Sequence, residues 1–383
     1  MYFRLNPECY YVKGKSHGAI YDLIEGDVYA LDSQESQMIE DCENNRMVDH
    51  AEPFLLDLKK RVIGNFYEKK VFIEKLRLGS PIAEYQEGIP PVLTRAFLEI
   101  SNNCNQSCWY CGFQGISRSM GCLGCNKWDE DGTAVSMDRW KELIDELHIL
   151  RCQLLFIKGG DLTNEWEKTC EILEYANNFF EKIFVTFHRA HLSKEARNYL
   201  KNKANLIIQT DNLSDIDNQN VYLLAIDLEK ANYLLDNPHK NVIVDTISQN
   251  FAPLQPRSVT LSKKNIDKTN LERFTHNNKL HPCLGNSVTI SWNGEVLPCP
   301  MMRKQSLGNI NDKKLWTFFK GTPGSIQDYW NISLNKLKKC SNCEFRYACT
   351  DCRALEVAQT GDLYSKILCN YDPSQGTWQQ LDD

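Results

Sequence analysis

Cys104-Asn105-Gln106-Ser107-Cys108-Trp109-Tyr110-Cys111 is the stretch from which the rest of this 383-residue chain can be read. Its three thiols are separated by three and then two residues. The run Ala96-Phe97-Leu98-Glu99-Ile100-Ser101 just before it is apolar and β-prone, and predicts a buried strand. The thiols therefore fall in a loop past a strand end. Three thiolates so placed can hold three irons of a [4Fe–4S] cube and leave the fourth iron open to bind and reduce another molecule. Zinc ordinarily takes four N/S ligands in paired spacings, which a triplet fits poorly.

The chain is long enough for two or three domains. Its residues are 25% charged and 42% hydrophobic, as in an ordinary globular protein, and its net charge of −6 argues against a protein driven onto nucleic acid by phosphate contacts. No basic-then-apolar signal opens it, and no apolar stretch approaches membrane-spanning length, so a cytoplasmic protein with no membrane partner is expected. Sixteen cysteines without a signal sequence, most of them in tight groups, point to metal rather than disulfides. Cys9, Cys42, Cys152 and Cys170 are scattered and read as small buried hydrophobes.

Residues 1–90 predict three short strands, at Cys9–Gly14, Ala19–Leu23 and Val28–Leu31. A helix capped by Asp32 should follow, then helical turns at 51–58 and 65–73. Beyond Pro90-Pro91, strands and helices alternate. Strands are expected at 97–101, 153–157, 183–187, 206–210, 221–226 and 242–247. Helices are expected after Ser136, over 165–180 and 193–201, and near 231–235. Such alternation implies a parallel sheet with its chemistry at the C-terminal strand ends. The second strand ends in Lys158-Gly159-Gly160-Asp161, where glycines let backbone approach a ligand. His188 ends the third strand and is expected to line the site. Residues 256–383 hold a strand–Asn293-Gly294–strand hairpin signal that draws Cys283 towards Cys299. Cys340, Cys343, Cys349, Cys352 and Cys369 follow. A zinc ribbon of Cys340, Cys343, Cys349 and Cys352 is the plain alternative there.

The triplet is the CxxxCxxC motif, and the chain resembles the radical S-adenosylmethionine (SAM) enzymes. The later cysteines resemble the SPASM extension of those that modify peptides, although two residues, Thr350 and Asp351, stand where that pattern usually has three. The resemblance implies an α/β fold: a partial (β/α)6 barrel over 91–255, a SPASM domain over 256–383, and a winged-helix-like leader-peptide recognition domain over 1–90. It implies that Cys104, Cys108 and Cys111 hold the SAM-binding [4Fe–4S] cluster, with Tyr110 near the adenine and Gly159, Gly160 and Asp161 at the SAM ammonium. Cys340, Cys343, Cys349 and Cys369 would hold one auxiliary [4Fe–4S] cluster. Cys283, Cys299 and Cys352 would hold another, its fourth ligand being His281, Asp351 or an open iron. The implied activity is a radical SAM peptide maturase acting on a precursor peptide with a leader segment, with an electron donor such as flavodoxin or ferredoxin. The expected product is a thioether, carbon–carbon or carbon–oxygen cross-link. Epimerisation, with Cys122 or Cys125 as hydrogen donor, and formylglycine formation are alternatives within the class. A non-catalytic electron-transfer module is the alternative outside it.

Overall fold

The computed structural model describes residues 1–77, 93–111, 116–227, 234, 239–249, 266, 268–321 and 323–378. The N-terminal strands are β1 (Tyr2–Leu5), β2 (Cys9–Lys13), β3 (Gly18–Asp22), β4 (Val28–Leu31) and β5 (Gly64–Tyr67), with helices α1 (Ser33–Glu43) and α2 (Pro53–Lys60). Strands β2, β3 and β4 form an antiparallel sheet, as the turn signals predict. Asp32 caps α1 in a full capping box with Glu35. The helical turns expected at 65–73 are not there. Gly64–Tyr67 instead pairs antiparallel with β1. Phe66 meets Phe3 edge to face at 5.1 Å, and a Cβ at Gly64 would lie 2.6 Å from the Arg4 carbonyl. Cross-strand aromatic packing outweighs the weak local helical pattern.

The middle of the chain builds β6 (Arg95–Ser101), β7 (Ile116–Arg118), β8 (Leu154–Gly159), β9 (Lys182–His188), β10 (Asn205–Thr210), β11 (Val221–Asp227) and β12 (Val242–Gln249). Strands β6, β8, β9, β10, β11 and β12 are parallel and adjacent in chain order. Helices α3 (Met137–Ile149), α4 (Trp166–Ala176) and α5 (Lys194–Leu200) cross between successive strands. These six strands are the barrel staves expected from the sequence, and the sheet stays open. At one edge β7 runs antiparallel to β12. At the other, β13 (Ser287–Ile290) lies parallel to β6 and carries β14 (Val296–Leu297). The Asn293-Gly294 hairpin thus extends the main sheet across the expected domain boundary at 255. Gly294 takes φ +90°, a conformation that favours glycine. The helix expected near 231–235 lies outside the described residues except for Leu234.

Alternation along the strands sorts the interior. Ala96, Leu98 and Ile100 of β6 join Leu155, Ile157 and Val185 against Trp140, Leu143, Ile144 and Leu147 of α3. Each such buried side chain is worth about 1.5–3 kcal/mol. The intervening residues point to the concave side. Phe97, Phe156 and Phe184 stack there at 4.8 Å steps and close the floor. Above them come Glu99, Lys158 and Thr186, and then His188 and Gln209 at the strand ends.

The C-terminal region adds α6 (Leu271–Lys279), α7 (Ile326–Trp330), α8 (Arg353–Thr360) and the pair β15 (Tyr371–Asp372) and β16 (Thr377–Trp378). It packs on the N-terminal sheet. Val12, Ala19, Tyr21 and Leu23 share a core with Phe274, Phe345, Tyr347 and Tyr371.

Candidate functional site

The loop after β6 is seated by the glycines after β8. Gly160 N–H donates to the Ser101 carbonyl (2.9 Å) and Asp161 N–H to that of Asn103 (2.7 Å). A Cβ on Gly160 would lie 2.6 Å from the Asn103 carbonyl, and one on Gly159 would strike that of Ser101. The Gly-Gly pair is therefore required by the close approach of the cysteine loop itself. Asp161 bonds Thr163 N–H (2.9 Å) and pairs with His191 (2.8 Å), so its carboxylate is already engaged at the rim.

Cys104, Cys108 and Cys111 line one cleft of about 290 Å³, together with Tyr110, Cys125, Lys127, Gly160, His188, His191 and Gln209. Lys127 N–H donates to Cys111 Sγ (3.3 Å), and its ammonium to the Cys104 carbonyl (3.1 Å). Burial pushes the Cys104 and Cys108 thiols up. A bound metal would reverse that shift, because a coordinating thiol is deprotonated by the ion's charge. Gln209 is wholly buried, yet both its amide atoms and the Tyr110 hydroxyl lack a hydrogen bond of good geometry, although the hydroxyl faces both Gln209 and Cys108. Such unmet polar groups are costly, and a polar ligand in the cleft would satisfy them. Lys127 and His191 carry no motif of their own and reach the cleft only through the fold, whereas Gln209, like His188, stands at a strand end, where the sequence lets it face the site.

The second CxxC divides between two places. Cys125 faces the cleft, where burial pushes its thiol up to about 12. Cys122 turns the other way, into electrostatic contact with Cys283, Cys299 and Cys352. Burial first, and then Cys283, raises Cys122 to about 11. A buried polar network holds the turn between them. Arg118 Nε donates to Asp245 (2.8 Å) and its Nη1 to Asn126 (2.6 Å). Asn126 in turn donates to the Gly121 carbonyl (2.9 Å). Lys158 donates to the Cys122 carbonyl (2.8 Å) and Thr186 to that of Leu123 (2.8 Å). Residues from β7, β8, β9 and β12 thus fix this turn inside the barrel mouth.

Neither His281 nor Asp351 is free to complete the group of Cys283, Cys299 and Cys352. The buried His281 ring accepts at Nδ1 from the N–H groups of Cys283 (3.0 Å) and Leu284 (2.9 Å), so its Nε2 donates to Asp351 (2.8 Å). Asp351 also pairs with Lys366 and Arg353. Burial alone would raise its carboxyl; Lys366, His281 and Arg353 overcome this and hold it well below the usual range. Cys122 packs beside this group instead.

Cys340, Cys343, Cys349 and Cys369 line a separate cavity of about 290 Å³. Burial pushes Cys340 up to about 12 and raises Cys349 well above the ordinary thiol range. The grouping of Cys352 with Cys122, Cys283 and Cys299 divides the thiols of the alternative zinc ribbon between two sites. Among the described residues, no three His, Cys, Asp or Glu side chains close around a single ion. Thiols spread around a cavity suit the size of a cluster.

Residues 282–353 match the SPASM family, an iron–sulfur cluster-binding domain. That span holds Cys283, Cys299, Cys340, Cys343, Cys349 and Cys352, with Cys369 beyond its end. No curated protein matches the chain. Among solved structures, Streptococcus suis SuiB bound to S-adenosylmethionine aligns with TM-score 0.48 at 12% identity, covering 96% of this chain and 99% of that one. SuiB bound to precursor peptide SuiA aligns with TM-score 0.46 at 13% identity over 96% and 99%. BtrN in complex with AdoMet and 2-DOIA aligns with TM-score 0.37 at 14% identity over 72% and 98%.

Proposed function

We propose that the chain is a radical SAM peptide maturase. The observation that carries this reading is the grouping of the cysteines: three lining one cleft at the strand ends, and two further groups of four. Cys104, Cys108 and Cys111 would hold a [4Fe–4S] cluster, which when bound would supply one-electron reductive cleavage of SAM to methionine and a hydrogen-abstracting 5′-deoxyadenosyl radical. The residues of this chain bind, orient and exclude water. Tyr110 and Gln209 supply the buried polar contacts for the nucleoside. Lys127 shields Cys111. Cys122, Cys283, Cys299 and Cys352 fit the inner auxiliary [4Fe–4S] cluster, and Cys340, Cys343, Cys349 and Cys369 the outer one. Among the described residues β4 pairs only with β3; a leader peptide would add at its other edge as a strand.

The favoured outcome is a cross-link. Cys125 supports a second reading, hydrogen return to a peptide radical as in epimerisation, because its thiol faces the cleft. Mass spectrometry of a candidate peptide turned over in D2O separates the two. A cross-link loses two hydrogens, whereas hydrogen return loses none but replaces one carbon-bound hydrogen by deuterium, an exchange that Cys125→Ala abolishes. If the loaded enzyme changes neither the peptide nor SAM, the maturase reading fails and an electron-transfer module remains.

A further inference from the structure

His191 and Asp161 meet where the loop after β9 reaches the turn after β8. Asp161 takes three donors on one oxygen, Oδ1: the Thr163 N–H (2.9 Å), the Thr163 hydroxyl (2.6 Å) and His191 Nδ1 (2.8 Å). Both side chains are nearly out of solvent, at 6% exposure for His191 and 9% for Asp161. A carboxylate only accepts, so His191 carries its hydrogen on Nδ1, and the neutral ring keeps a lone pair on Nε2. His191 lines the cleft of the cysteine triplet, and among the described residues its ring has no hydrogen-bonded partner besides Asp161. Among those residues Asp161 is not itself one of the groups lining the cleft; it lies behind the ring, within electrostatic reach of Cys104. The other ring at this rim has the opposite polarity. His188 Nδ1 accepts the Ala190 N–H (3.2 Å), so its Nε2 carries the hydrogen and donates. Lys127 is a cation, and Asn126 Oδ1 already accepts from Arg118 (2.6 Å). Among the described lining residues, His191 is the acceptor backed by a carboxylate. Such a pair suits a small cation with hydrogens to donate.

We propose that His191 receives the ammonium group of the SAM methionine through Nε2, and that Asp161 is a positioning residue that acts through the ring. The resemblance places Asp161 itself at that group, whereas the fold sets an imidazole in between. This rests on the reading that Cys104, Cys108 and Cys111 hold the cluster at which SAM binds. The ammonium donates one hydrogen bond to the uncharged nitrogen, and no proton changes hands. The negative charge of Asp161 behind the ring strengthens that bond, because charge-assisted bonds away from water are the strong ones. Thr163 holds the carboxylate in place, so the ring is aimed before SAM arrives.

The test measures equilibrium binding to anaerobic, oxidised holoenzyme without reductant, so that SAM stays intact. Two probes are used: SAM, and 5′-methylthioadenosine, which has the same nucleoside and sulfur but no amino-acid end. His191→Asn keeps a donor for Asp161 in the place of Nδ1 and removes the acceptor at Nε2. It is expected to weaken SAM by at least about tenfold and to leave 5′-methylthioadenosine unchanged. His191→Gln puts an amide oxygen near the place of Nε2 and is expected to keep SAM close to the wild-type affinity. Asp161→Asn should weaken SAM in the same selective way, yet add little in the His191→Asn background, because its effect passes through the ring. His191→Asn protein that binds SAM as the wild type does overturns the proposal. So does His191→Asn protein that loses both probes alike, since that is what a purely structural role gives. If Cys108→Ala strips iron from the triplet and SAM binds as tightly as before, the cluster reading itself fails, and the assignment of His191 falls with it.

Discussion

Replacing Asp245 by alanine removes the anchor of the turn that carries Cys122 and Cys125. Asp245 is wholly buried; it accepts from Arg118 Nε and from Met120 N–H, each at 2.8 Å, and from Arg118 Nη2. Arg118 is itself 2% exposed, so the variant leaves a guanidinium without its counter-charge where water cannot reach it. Breaking one side of such a pair costs about 3–5 kcal/mol, a large part of the roughly 5–15 kcal/mol that holds a typical domain together. The same loss loosens Asn126, and with it the Gly121 carbonyl and the aim of Cys122. Urea denaturation of anaerobic holoprotein, followed by tryptophan fluorescence, reads the cost in the transition that includes the parallel sheet. The double variant Arg118→Met/Asp245→Leu removes both charges and should recover most of it, giving a coupling of at least about 2 kcal/mol. A single variant that costs less than about 1 kcal/mol, or a double variant no more stable than the single, refutes the claim that this pair pins the turn.

Cys122→Ala should lower the iron content and remove one auxiliary signal from the EPR spectrum, while Cys125→Ala should leave both unchanged; equal effects would contradict the division of the two thiols. Gly160→Ala drives a methyl group to 2.6 Å from the Asn103 carbonyl and should cut SAM cleavage more than about tenfold, a barrier change of about 1.4 kcal/mol, with the C-terminal iron retained. His188, His276 and His281 are each lowered from 6.5 by burial first of all. The unfolded chain therefore binds more protons than the folded one just below that value, so this stability is fully present above pH 6.5 and lost as the pH falls towards the lowered values. Urea midpoints should drop between pH 7.5 and 5.5, and a flat profile would count against the buried neutral histidines.

Much of this arrangement is legible in the chain, because hydrophobic period and turn chemistry are local. The six parallel strands, the Asp32 and Ser136 caps and the position of the cysteine loop all follow from neighbours in sequence. What escapes is set by tertiary contact. Strand β5 forms because Phe66 finds Phe3, a partner invisible to a local pattern. The Gly159-Gly160 pair reads as a ligand contact, and that it also seats the Cys104–Cys111 loop is set by a tertiary approach the local pattern does not carry. Cys122 joins Cys283, Cys299 and Cys352 from a distant segment, and no spacing rule could reveal it. His281 has the chemistry of a ligand, but both its nitrogens are occupied.

The most direct measurement is 5′-deoxyadenosine formed by anaerobically reconstituted protein given SAM and a strong reductant. The account predicts that it forms, and that Cys104→Ala, Cys108→Ala and Cys111→Ala each abolish it while the iron of the C-terminal sites remains. Full iron loading with no 5′-deoxyadenosine, even with candidate peptides present, would contradict the open three-cysteine site.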